Sequence, residues 1–177
     1  MDSGPPARTV SRMDWLTVVV QWAHVLLGIL WFGNALALDV IVIPAINRLP
    51  IVAQREVASQ IGARATPIFK VVVPTIVVLG IVRGTAFGPV RSLEALVGTA
   101  YGWTWLAALL LTVGVYAWGL RVLEPALRRM DQAPVSADGS PTPELVAATT
   151  RVKALVGVEL LGFLAIFTCM SLMRFGL

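Results

Sequence analysis

One cysteine, Cys169, and one histidine, His24, are all that 177 residues contain of those two types. A lone cysteine forms no intramolecular disulfide and builds neither a CxxC zinc site nor a CxxCH haem attachment. A lone histidine excludes bis-histidine ligation within the chain. Charge is scarce too: Asp, Glu, Lys and Arg together make up 14% of the residues, and the stretches 15–38 and 95–120 contain none of them. No basic stripe is interleaved with aromatics, so no nucleic-acid partner is expected. The formal charge of +4 is spread over the ends of apolar runs and needs only anionic lipid as its counterpart.

What the chain has in excess is apolar length. Hydrophobic residues make up 57% of it, with a mean hydropathy of +0.81, well above a soluble domain. Crossing a hydrocarbon core roughly 30 Å thick takes about 20 apolar residues. Spans are expected at about residues 15–46, 67–88, 99–122 and 152–174. The resulting fold class is an all-α, integral membrane four-helix bundle, a single transmembrane domain in the lipid bilayer with both termini on one side. Lys70 and Arg83, near the two ends of the second span, can extend to the headgroups. The first run is too long for a signal-peptide core and is read as retained.

The connections are read from their punctuation. Residues 1–13 are expected to be a short flexible tail, and Pro44 with the Asn47-Arg48-Leu49-Pro50 stretch is expected to end the first helix. Residues 51–65 place Gln54, Arg55, Glu56, Ser59, Gln60 and Arg64 at helical spacing, an amphipathic lead into the second span with Pro67 and Pro74 as kink points. Residues 131–143 carry the one Pro/Gly/Ser-rich polar run, expected to be a flexible loop. Nine basic residues (Arg48, Arg55, Arg64, Lys70, Arg121, Arg128, Arg129, Arg151, Lys153) fall on one side and five (Arg8, Arg12, Arg83, Arg91, Arg174) on the other. The cytoplasmic side carries the basic excess, so both termini are expected outside.

Ionisable groups inside a span cost about 2.5 to 3.5 kcal/mol on insertion scales and are expected to face the bundle interior. His24, Asp39, Arg83, Lys153 and Glu159 are the informative ones. At 1.5 Å per residue, His24 and the Cys169–Met170 end of the last helix lie at similar depth, with Arg83 just above them. Asp39 and Lys153 both fall near the opposite interface and are expected to form a structural ion pair. His24, Gly28, Trp31 and Ala35 share one helix face, and Glu159, Gly162, Ile166, Met170 and Met173 another. A histidine facing a thioether within a bundle suits b-type haem, with Arg83 placed for the propionates. The candidate cofactor residues are thus His24, Gly28, Trp31, Arg83 and Met170. His24, Cys169 and Met170 are the candidate metal ligands, since sulfur donors suit Cu(I) and make copper the alternative. Interhelical hydrogen bonding by His24, or a proton path, stays open beside both. Tyr101, Trp103, Trp105, Tyr116 and Trp118 match interfacial aromatic belts, as do Trp15 and Trp22.

The segment QWAHVLLGILWFGNALALDVIVIPA, with His24 followed seven residues later by Trp31-Phe32-Gly33 and then by Pro44, resembles the first helix of copper-resistance protein D type membrane proteins and their four-helix bacterial relatives. LGIVRG, with Gly80 and Arg83, and Lys153 at the start of the last helix look similar as well. The resemblance covers most of the chain. It implies a bacterial cytoplasmic (inner) membrane location, electron transfer or an accessory role in a membrane complex, and partner subunits or a homo-oligomer. A weaker similarity to membrane-bound haem-dependent protoporphyrinogen oxidases implies His24 as haem ligand, Lys153 as counterpart of a functional lysine, and a porphyrinogen as substrate.

Overall fold

The computed structural model describes residues 15–177, so the tail and its Arg8 and Arg12 lie outside the described residues. Four helices are long and apolar enough to cross a membrane: α1 (Trp15–Ile46), α2 (Ile51–Thr85), α4 (Ala100–Gln132) and α5 (Pro143–Arg174), with a short α3 (Leu93–Gly98) between α2 and α4. The chain is a multi-pass, all-α membrane protein. Its helices run alternately up and down. One end of the bundle therefore holds Trp15, the α2–α4 connection and Arg174, while the other holds the 47–50 and 133–142 connections.

Helix order around the bundle is α1, α2, α4, α5, each packed along the next. Val73 is fully enclosed, with Ile76, Ala108, Val115 and Phe163 close to it in burial. Leu123, Ala126 and Val152 form a second cluster toward the Gln132 end, bordered by Met130, Leu155 and Val156. Exposed side chains such as Val19, Leu26, Ile29, Val71, Leu110, Leu161 and Phe167 are apolar, as a surface bathed in hydrocarbon requires. Lipid tails are as apolar as leucine, so close packing holds the helices together. Gly162 shows this, because a side chain there would overlap Val115 of α4.

The spans differ from the expected ones mainly by being longer. α2 starts at Ile51 and runs through Pro67 and Pro74 without a break, so the amphipathic lead and the second span are one helix of 35 residues. α4 extends ten residues past the expected 122, and α5 begins nine residues before 152. Helical hydrogen bonding satisfies the backbone whether or not the side chains suit lipid, so apolarity ends before the helix does.

Two widened turns were not expected. Proline lacks an N–H and clashes with the carbonyl four residues back. Pro44 and Pro125 are each preceded by a π turn, Leu38–Val42 and Gly119–Leu123. In both, the residue just before the proline bonds five residues back, Ile43 N–H to the Leu38 carbonyl and Glu124 N–H to that of Gly119. Widening lets each helix continue past its proline.

The polar run at 131–143, expected to be flexible, is folded. Val135 and Pro141 form an isolated antiparallel bridge, and the Ser136 N–H donates to the Ser140 carbonyl at 3.0 Å. Gly139 takes φ of +80°, and the Asp138 carboxylate accepts from both the Ser140 N–H (3.0 Å) and hydroxyl (2.7 Å). Arg55 of α2 donates to the Ala133 carbonyl, and the Thr142 hydroxyl caps α5 at the Leu145 N–H. Composition flags this run as unable to form a core, but a tight Asx turn needs none.

Candidate functional site

α1 sets Gln21 and His24, three residues apart, against α2. The imidazole enters the space left by Gly80, where a Cβ would lie 3.1 Å from His24 Cε1. Its Nδ1 is 3.1 Å from the Ile76 carbonyl oxygen, one turn before Gly80. A carbonyl only accepts, so Nδ1 carries the proton of that bond. In the neutral ring Nε2 then holds a free lone pair, the form that ligates metals.

One turn nearer the Trp15 end, Arg83 bridges two elements. Its Nε donates to Gln21 Oε1 at 2.8 Å and its Nη1 to the Phe87 carbonyl at 2.9 Å. Two of five N–H donors are so engaged. Next to it, Gly84 lies beneath the indole of Trp105, which any side chain at 84 would overlap.

These residues wall a cleft of about 680 Å³, within the usual range for small-molecule sites. Ile76, Val77, Gly80 and Gly84 form its α2 wall, and Tyr101, Trp105, Ala108 and Thr112 its α4 wall; Met170, Met173 and Arg174 come from α5. Arg83, Arg91 and Arg174 all line it, and no Asp or Glu among the described residues does. Arg91 uses Nε on the Gly88 carbonyl at 3.2 Å. A cleft of mixed lining, with apolar walls on α2 and α4 and three guanidinium groups but no carboxylate among the described residues, suits a ligand with an apolar body and an acidic edge.

Of the candidates read from sequence, His24, Arg83 and Met170 meet in this cleft. Gly28 and Trp31 do not line it. A Cβ at Gly28 would meet nothing within 4 Å, and Trp31 packs edge-on to Phe163 with centroids 4.7 Å apart. Cys169 is absent from the lining too. The His24, Cys169 and Met170 set is therefore not assembled around one point. Among the described residues no three His, Cys, Asp or Glu side chains converge as a metal site.

Asp39 and Lys153 are not joined. The ion pair among the described residues is Arg128–Glu124 on α4, at 2.6 Å. Lys153 is exposed, whereas Asp39 is close enough to Glu159 for their charges to interact. A Cβ at Gly119, in the second π turn, would lie 3.5 Å from Glu159 Oε1. Equal depth placed Asp39 beside Lys153, but the azimuth of α5 turns Glu159 inward instead. Lys153 also stands 17 residues along α5 from Met170, some 25 Å from the cleft's level.

Sequence reasoning missed Gln21, Arg91, Arg174, Tyr101 and Trp105 as cleft residues. Gln21 carried a signal, lying three residues before His24 on its face. Tyr101 and Trp105 were absorbed into an aromatic belt, and Arg91 and Arg174 into helix-end charge. Comparison of the chain with protein-family models, with curated proteins and with solved structures finds no match.

Proposed function

We propose that this chain is a bacterial inner-membrane protein that binds one b-type haem in the cleft, through His24, and serves electron transfer in a membrane complex. The carrying observation is the donor set. His24 has Nδ1 committed to Ile76, two thioethers of α5 line the same cavity, and so do three arginines with no carboxylate among the described lining residues. Bound haem would supply reversible one-electron chemistry. His24 would ligate through Nε2, with the Ile76 carbonyl orienting the ring and raising its basicity. Met170, which lines the same cavity, is the thioether that would serve as a second ligand. Arg83, Arg91 and Arg174 would hold the carboxylates at headgroup depth. Gly80 and Gly84 make room for the His24 and Trp105 rings that border the site.

The charge distribution fits both termini outside. Arg83, Arg91 and Arg174, the described basic residues counted against that orientation, all line the cleft, which gives them a reason to stand at that end besides topology. Copper handling is supported less well, because Cys169 stands off the cavity wall. The test is purification in mild detergent from haem-replete cells. About one haem per chain by pyridine haemochrome is expected; colourless protein contradicts the reading.

A further inference from the structure

The four helices are unequally joined. α1 packs along α2, α2 against α4, and α4 along α5, but α1 and α5 touch sparsely. They are held at a clasp, where Phe163 lies edge-on to Trp31 and stacked on Phe32, with centroids 4.7 and 5.3 Å away. Toward the Trp15 end the two helices leave a seam. Gly28 precedes Trp31 by three residues and Phe32 by four, on the same face, yet a Cβ there meets no atom within 4 Å. Both sides of the seam reach the cleft, Gln21 and His24 from α1 and Met170 and Met173 from α5. His24 lies seven residues from Trp31 and Met170 seven from Phe163, which puts both about 10 Å beyond the clasp. Val25 and Ile29 on α1, and Leu164 and Phe167 on α5, are exposed and apolar at this level. The solvent outside the seam is hydrocarbon.

We infer that the ligand reaches the cleft sideways from the bilayer, between α1 and α5, and that the Phe163 clasp is the floor that stops it. This rests on the cleft being the site of a flat, acidic amphiphile. Such a molecule lies in a membrane with its body among the tails and its carboxylates at the headgroups. Arg83, Arg91 and Arg174 stand at the membrane-surface end of the cavity. Sliding between the helices therefore carries the ligand home without bringing its body into water or its carboxylates into hydrocarbon.

A reversible lock tests the seam. In a Cys169→Ala background, Gly28→Cys and Ile166→Cys place one thiol on each side, three residues beyond the clasp and off the cleft lining. The doubly substituted protein, in phosphatidylcholine vesicles, is joined by a reducible bismaleimide and haem is added to the vesicles. Uptake, followed by growth of the Soret band, is expected to slow roughly tenfold or more while the link is intact and to recover when it is reduced. The single-cysteine proteins treated alike should load at the unlinked rate. Uptake at the unlinked rate with the link in place overturns the lateral route and leaves the site standing. No uptake by the unlinked or wild-type protein overturns the site and the route together. Slow uptake that reduction does not restore counts against the route, because it marks distortion by the reagent.

Discussion

His24 Nδ1 and the Ile76 carbonyl oxygen lie 3.1 Å apart across the α1–α2 interface. The bond fixes which ring nitrogen carries the proton and ties the one histidine to the backbone of the neighbouring helix. It depends on Gly80, which leaves the ring its space.

Enlarging residue 80 should disturb that arrangement first. Gly80→Ala puts a methyl 3.1 Å from His24 Cε1, tight enough to push the ring by a few tenths of an ångström. Gly80→Val adds branches and should cost about 1–3 kcal/mol of stability, the usual range for overpacking. Thermal unfolding in detergent should rank wild type above Ala above Val. A haem band unchanged in Gly80→Val would contradict the placement of the ring.

Arg83 is expected to act on affinity. Arg83→Gln loses the charge and the bonds to Gln21 and Phe87. A hydrogen bond to a charged group is worth about 1.5–3 kcal/mol, so haem affinity should fall roughly 10- to 150-fold, with Arg83→Lys in between. Titration of apoprotein with haem reads this directly. Equal affinities for wild type and Gln would remove Arg83 from the site.

The clasp should matter for stability. Phe163 is buried and contacts both Trp31 and Phe32. Phe163→Ala leaves a cavity and should cost about 3–5 kcal/mol, whereas Phe163→Leu keeps most of the volume and should cost less. Unfolding in mixed detergent micelles measures both. Equal losses for Ala and Leu would mean that filling the space at 163 does not hold α1 to α5.

The four spans were legible because a bilayer demands apolar length, and length shows in the sequence itself. The π turns were not, although Pro44 and Pro125 marked both places. Proline announces a disturbed ladder but not how the helix absorbs it. Depth along a helix was legible at 1.5 Å per residue, and it put His24, Arg83 and Met170 together. Azimuth was not, so Asp39 was assigned to Lys153, with which it forms no ion pair. Arg91 and Arg174 escaped for a related reason: at a helix end, a basic residue reads the same whether it meets lipid or lines a cavity.

The turn at 136–140 offers a pH test outside the membrane. The Ser140 hydroxyl and N–H both donate to Asp138 and hold its carboxyl below the ordinary value. A carboxyl depressed on folding stabilises the turn above its unfolded pKa, and that contribution is lost as pH falls through the lower, folded value. The Gly139 N–H, bonded to the Ser136 carbonyl at 2.9 Å, should therefore lose exchange protection below about pH 4. In Asp138→Ala the protection should be weaker at neutral pH and lack that acid step. An acid step that persists in Asp138→Ala would assign it to another group.

Ligation of haem by His24 in the arginine-lined cleft, as proposed, can be read from a difference spectrum. Wild-type and His24→Ala proteins, purified alike in mild detergent, are recorded before and after dithionite, with circular dichroism to establish that both are folded. The wild type should show a Soret band with α and β bands that sharpen on reduction, and folded His24→Ala should lose them. A colourless wild type, or the same spectrum in folded His24→Ala, would contradict it.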